Sequence, residues 1–96
     1  MKITSVQTEI PVFFLKEGET FICYTPAFDL AASGNTLEEA KKSFDTSCKL
    51  ILETVIKDGT LDEVLQNYGW VKSKNRWSPP RLIGQESKDI QIPVHA

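Results

Sequence analysis

Apolar positions along the chain switch from strand spacing to helical spacing and back. Residues 10–16, Ile-Pro-Val-Phe-Phe-Leu-Lys, are rich in β-branched and aromatic side chains and predict a strand. Pro11 stands near its start, where an edge strand tolerates a proline. Glu17-Gly18-Glu19 reads as a three-residue connection, and residues 20–25, Thr-Phe-Ile-Cys-Tyr-Thr, predict the second arm of a β-hairpin. Pro26 ends that arm. Residues 28–33, Phe-Asp-Leu-Ala-Ala-Ser, predict a third short strand, with Gly34-Asn35 as the turn after it. A bare three-stranded sheet is marginal in water, so a cover is required.

Thr36-Leu37-Glu38-Glu39 begins that cover. Its spacing is that of a capping box, in which the Thr36 hydroxyl accepts from the Glu39 amide and the Glu39 carboxylate accepts from the Thr36 amide. Leu37, Ala40, Phe44, Cys48, Ile51, Leu52, Val55 and Ile56 then recur at three and four and form one apolar stripe. Lys41, Lys42, Asp45, Lys49, Glu53 and Lys57 lie opposite, and Gly59 suits the left-handed stop. The pattern predicts a helix of about 22 residues, or six turns. A second capping box, Thr60-Leu61-Asp62-Glu63, predicts a short helix to about Tyr68, with Leu61, Val64, Leu65 and Tyr68 as its apolar side. Gly69 caps it, and Trp70-Val71 folds back onto the long helix.

Residues 72–88 are polar and broken by Pro79-Pro80 and Gly84, which predicts an irregular connection with Trp77 as its anchor. From Ser87 to Val94 alternation returns, with Ile90, Ile92 and Val94 on one side and Asp89, Gln91 and Pro93 on the other. Such a final strand either completes the sheet or adds to a neighbour's sheet in a dimer. With the edge-like first strand, it predicts a homodimer or higher homo-oligomer. The expected fold class is thus α+β. Three N-terminal strands and a C-terminal strand form a small antiparallel sheet, packed against one long helix and one short one. The whole chain, 1–96, reads as one domain, with a sheet-and-helix core over 1–70 and a basic loop and strand over 71–96.

Charge divides at the same point. Residues 1–70 carry six Lys/Arg against eleven Asp/Glu, and residues 71–96 carry five against two. An acidic body fits a basic protein partner better than a nucleic acid. The basic Lys72, Lys74, Arg76 and Arg81 mark the only stretch suited to a phosphate backbone, on an excess of charge that is small for the purpose. No apolar run approaches the ~20 residues that span a bilayer. Met1-Lys2-Ile3-Thr4 lacks the apolar core of a secretory signal. A cytoplasmic location is expected, where Cys23 and Cys48 stay reduced and pack as small hydrophobes.

Catalytic and metal-binding patterns are sparse. The single histidine, His95, stands next to the C-terminal Ala96, a position poor in fixed geometry. The cysteines have no C-x-x-C spacing, and there is no glycine-rich phosphate loop, so neither a metal nor a cofactor is expected. Glu38, Asp45, Glu53 and Asp62 fall on or near solvent faces, and Glu39 and Glu63 fall at caps. Asp29, between Phe28 and Leu30, either faces solvent or offers hydrogen bonds to a partner at a sheet edge. The aromatic residues are read as core rather than as a stacking platform for bases.

The stretch from Gly18 to Phe44 resembles the HicB-type antitoxin family. The features that carry the likeness are Pro26 and Asp29 at a corner after a strand, then Gly34-Asn35-Thr36, and then Glu38-Glu39-Ala40 at a helix start. The likeness covers about residues 10–58. It implies a partial RNase H-like fold, a small antiparallel sheet crossed by a helix, without the clustered carboxylates of a true ribonuclease H. It implies a protein that is not an enzyme but the antitoxin half of a toxin–antitoxin pair. Its partner would be a small basic mRNA-cleaving toxin whose active site it masks. Glu17, Glu19 and Asp29 are the acidic residues assigned to that contact. Two other roles stay open, a nucleic-acid-binding regulator using Lys72, Lys74, Arg76 and Arg81, and a stand-alone relative without a toxin. Residues 71–96 are too short and too proline-punctuated for the helix-turn-helix that many members carry, and no ribbon-helix-helix can follow the last strand.

Overall fold

A computed structural model describes residues 8–95 of the chain. Met1-Lys2-Ile3-Thr4, the stretch read for a targeting signal, and Ala96 lie outside the described residues. Three strands come first, β1 (Phe13–Glu17), β2 (Thr20–Thr25) and β3 (Leu30–Gly34), and they form an antiparallel sheet in the order β1-β2-β3. Phe13 stands opposite Tyr24, Glu17 opposite Thr20, and Cys23 opposite Ala32. The β1–β2 turn is one residue tighter than its sequence suggests. Glu17 belongs to the ladder, so Gly18 and Glu19 alone make the turn. Gly18 has φ 61° and Glu19 stays on the negative side, the pattern of a two-residue turn with glycine first.

The long helix α1 (Leu37–Asp58) runs its full expected 22 residues. The Thr36 hydroxyl accepts from the Glu39 amide at 3.1 Å. The return bond differs by one residue, since the Glu39 carboxylate accepts from the Asn35 amide at 2.8 Å rather than from Thr36. Gly59 closes the helix in a left-handed conformation. Ala40, Phe44 and Val55 are buried, and Leu37, Cys48, Ile51 and Leu52 are half-buried, as the stripe requires. Ile56, counted in that stripe, is exposed.

The short helix α2 (Leu61–Asn67) follows, with Leu65 buried against α1 and the sheet's end. Its expected threonine cap is absent. The Thr60 side chain makes no capping hydrogen bond, because its backbone (φ −109°, ψ 13°) is not the extended one that aims a cap oxygen at the first turn.

Two further corrections fall beyond α2. The stretch read as irregular contains a small hairpin, β4 (Val71–Ser73) and β5 (Arg76–Ser78), joined through Lys74 and Asn75, both at positive φ. The expected C-terminal strand does not form. Residues 79–95 adopt neither helix nor strand, and Ile90, Ile92 and Val94 are 77%, 72% and 86% exposed. The molecule measures 66 × 29 × 22 Å with a radius of gyration of 16.8 Å, against about 12 Å for a compact chain of this length.

The core forms two joined clusters. One gathers Cys23, Ala40 and Phe44 between the sheet and α1, and the other gathers Ala27, Phe28, Leu65 and Trp70 beneath the chain corner. Phe44 is 7% exposed and bridges helix to sheet. Phe44→Ala should destabilise the fold by about 3–5 kcal/mol. Thr36→Ala should destabilise it by about 1 kcal/mol through the lost cap. Denaturant melts of the two variants check both values, and equal melts with the parent would place the helix in another register.

Candidate functional site

Asp29 is the most constrained of the acidic residues singled out, and its setting differs from the expected one. Residues 26–29 form a turn, so Asp29 precedes β3 rather than lying within a strand. Its backbone is left-handed at φ 48°, which aspartate tolerates better than most residues. The exposed carboxylate accepts a hydrogen bond from the Tyr24 hydroxyl at 2.9 Å. That bond holds the neutral phenol and pushes the Tyr24 pKa above 10.0, with partial burial and the nearby charge adding to the effect.

The corner beneath Asp29 is tied down by three contacts. The Thr25 hydroxyl, fully buried, accepts from the Ala27 amide at 3.1 Å. The Ala27 carbonyl accepts from the Trp70 indole nitrogen at 2.7 Å, across 43 residues of chain. The Phe28 ring leans on the Trp70 ring with centroids 5.5 Å apart. Trp70 therefore packs chiefly on the corner, with Leu52 and Cys48 of α1 beside it.

Asp62 joins the β4–β5 hairpin to α2. Its carboxylate accepts from the Trp77 indole nitrogen at 3.2 Å and pairs with Lys72 at 3.5 Å. The Lys72 ammonium also sits 5.6 Å from the centre of the Trp77 ring. Trp77 is thus the expected anchor, and Asp62, read from sequence as a solvent-facing acid, is what it holds. The Lys-Asn pair at 74–75 was the available signal for this hairpin, since asparagine is favoured at the positive φ of a tight turn.

The assigned acids do not converge. Glu17 closes the β1–β2 turn and Glu19 lies within it, whereas Asp29 lies past the far end of β2, about 17 Å along the strand. The cations do not share a face either. Lys72 stands opposite Trp77 and turns toward Asp62, while Arg76 pairs with Ser73 on the other side of the hairpin. Lys74 is at the turn and Arg81 is on the extended segment. All eleven acids of residues 1–70 are exposed, and among the described residues only Asp62 of these makes a salt bridge.

Other reactive groups are scattered. Burial pushes the Cys23 and Cys48 thiols up, so both stay protonated at neutral pH. His95 is exposed on the extended segment. Among the described residues no three metal-ligating side chains come together. No described helix is long and apolar enough to cross a membrane.

A concavity of about 620 Å³ runs along β1. Pro11, Val12, Phe13, Phe14 and Leu15 line it, together with Leu82 and Gln85 from the C-terminal segment. Its walls are open because α1 packs on β3 and β2, leaving Phe14 54% exposed.

The Tyr24–Asp29 bond has a measurable pH consequence. The folded pKa of Tyr24 is raised, so the stability it contributes is complete below pH 10 and fades as pH rises through the raised value. Ultraviolet titration of tyrosinate should show Tyr24 ionising above the usual range. Asp29→Asn, which keeps an acceptor and suits the left-handed backbone, should lower that pKa by removing the charge. An unchanged titration would disprove the contact.

No protein-family model, curated protein or solved structure matches this chain.

Proposed function

We propose that this protein is an antitoxin-like binding protein that neutralises a small basic mRNA-cleaving toxin by masking its active site. The reading rests first on the likeness of residues 18–44 to HicB-type antitoxins. The three-stranded antiparallel sheet crossed by a helix agrees with the coarse architecture that the likeness implies. The observation that carries the partner's chemistry is the acidic surface. Eleven exposed carboxylates against six cations over residues 1–70, with ten of the acids outside any salt bridge among the described residues, present a negative potential to a cationic mate. Unpaired acids are the ones free to meet an incoming lysine or arginine. Glu17 and Glu19 present such charge at the hairpin tip, and Asp29 does so from a corner where its carboxylate accepts from Tyr24.

Masking needs no catalytic group on this chain. A basic nuclease active site that receives a carboxylate in place of a phosphate loses access to its substrate. The complex should therefore weaken with added salt, because exposed charge pairs are screened.

Co-expression with the short basic protein encoded by the adjacent gene tests the reading. The neighbour should be toxic alone, should co-purify with this chain, and should lose RNA cleavage on its addition. Glu19→Lys should weaken the complex several-fold with the fold unchanged. A neighbour that neither binds nor harms cells would overturn the proposal.

A further inference from the structure

We propose that the free edge of β1 receives the C-terminal segment of a second copy of this chain, residues 88–92 pairing antiparallel with residues 17–13 in a reciprocal strand exchange. The inference concerns the protein alone and does not depend on the antitoxin reading. Three observations lead to it. β1 is an edge strand, with the groove of about 620 Å³ open beside it. The C-terminal segment has the alternation of a strand yet leaves Ile90, Ile92 and Val94 in water. The segment departs from beside that same groove, where Leu82 and Gln85 lie, and no backbone hydrogen bond joins it to β1. An unpaired apolar edge and an unpaired alternating segment in one chain are complementary halves of a ladder.

The register follows from charge and from hydrogen-bond parity. With Lys88 opposite Glu17, Asp89 falls opposite Lys16, Ile90 opposite Leu15 and Ile92 opposite Phe13. Both charged pairs are then of opposite sign. Both isoleucines join Leu15 and Phe13 on the sheet face away from α1, where Ile22 and Tyr24 are only half-buried. Slipping one residue in either direction sets Lys88 against Lys16 or Asp89 against Glu17. Slipping two sets Glu86 against Glu17, or brings Pro93 inside the ladder opposite Phe14. Like charges directly opposite are destabilising, and proline cannot donate. Parity agrees. Glu17 and Thr20 close a two-residue turn, so they exchange hydrogen bonds and the amides of Phe14 and Lys16 face the free edge. Their partners are Gln91 and Asp89, which have amide hydrogens, and Pro93 falls just past the end.

A second copy, rather than the chain's own tail, is the occupant because in the single copy residues 86–95 are exposed throughout and pair with no strand, while β1 pairs with β2 alone. A twofold axis then makes both exchanges at once and leaves no open end.

Light scattering and sedimentation of the full chain across the micromolar range test this. The expected mass is twice the 10.8 kDa of one chain. Ile90→Asp combined with Ile92→Asp should return a folded monomer whose melting temperature no longer rises with protein concentration, since both residues are exposed in the single copy. Glu17→Lys or Lys88→Glu alone should weaken dimerisation about 2- to 30-fold, each change being felt twice per dimer, and the double reversal should restore it. A monomer at all concentrations, a dimer indifferent to the aspartate changes, or a failed rescue would overturn the proposal. Hydrogen exchange separates the other occupants. A monomer in which the amides of Phe14 and Lys16 are protected would assign the edge to the chain's own tail. Protection that arises only with a basic partner would assign it to that partner. Either result would overturn exchange between copies.

Discussion

Gly34 sets the geometry on which the rest of the molecule depends. It ends β3, and α1 begins three residues later. A side-chain carbon at position 34 would lie 2.6 Å from the Ala40 amide nitrogen and 2.7 Å from the Glu39 β-carbon, closer than atoms pack. The missing methyl is what lets the helix start directly on the strand it follows. The cap reinforces the joint, with Asn35 and Thr36 both bonded to Glu39. A helix launched so tightly must lie over β3 and its neighbour β2. The sheet is thus covered from one side, and β1 keeps apolar groups that a centred helix would hide.

The second joint solves a different problem. After α1 and α2 the chain lies far in sequence from the sheet, and only long-range contacts can bring it back. Trp70 does so by combining a large buried ring with one directed hydrogen bond to the Ala27 carbonyl. Breaking that bond would leave a buried carbonyl without its donor, at a cost of about 1–3 kcal/mol. The turn at residues 26–29 is held from within by Thr25 and from outside by Trp70, so the left-handed Asp29 is the product of a corner fixed on both sides.

What could be read from the chain alone was what local physics decides. The helical stripe of α1, its threonine cap and its glycine stop all rest on spacing within a few residues, and all are present. The β2 arm was equally clear, since six β-prone residues end at a proline. Asp29 was misplaced because alternation from Phe28 to Ser33 resembles a strand, whereas the turn is enforced by Trp70, more than forty residues away. The β4–β5 hairpin escaped notice because three-residue strands carry almost no periodicity. The opposite error befell Ile90–Val94, where alternation was clear but the segment pairs with no strand of its own chain. Glu17, Glu19 and Asp29 were individually reasonable as surface acids, but their separation depends on strand length and direction, which composition does not reveal.

The two indoles divide the molecule in a way that is useful beyond its architecture. Trp70 sits in an apolar cluster, while Trp77 lies half in water with a carboxylate and an ammonium at its edge. Their emission must therefore differ, with Trp70 radiating at shorter wavelength and Trp77 yielding more readily to a dissolved quencher. Loosening of the β4–β5 hairpin would redden chiefly the Trp77 component, so the chain carries its own pair of optical probes.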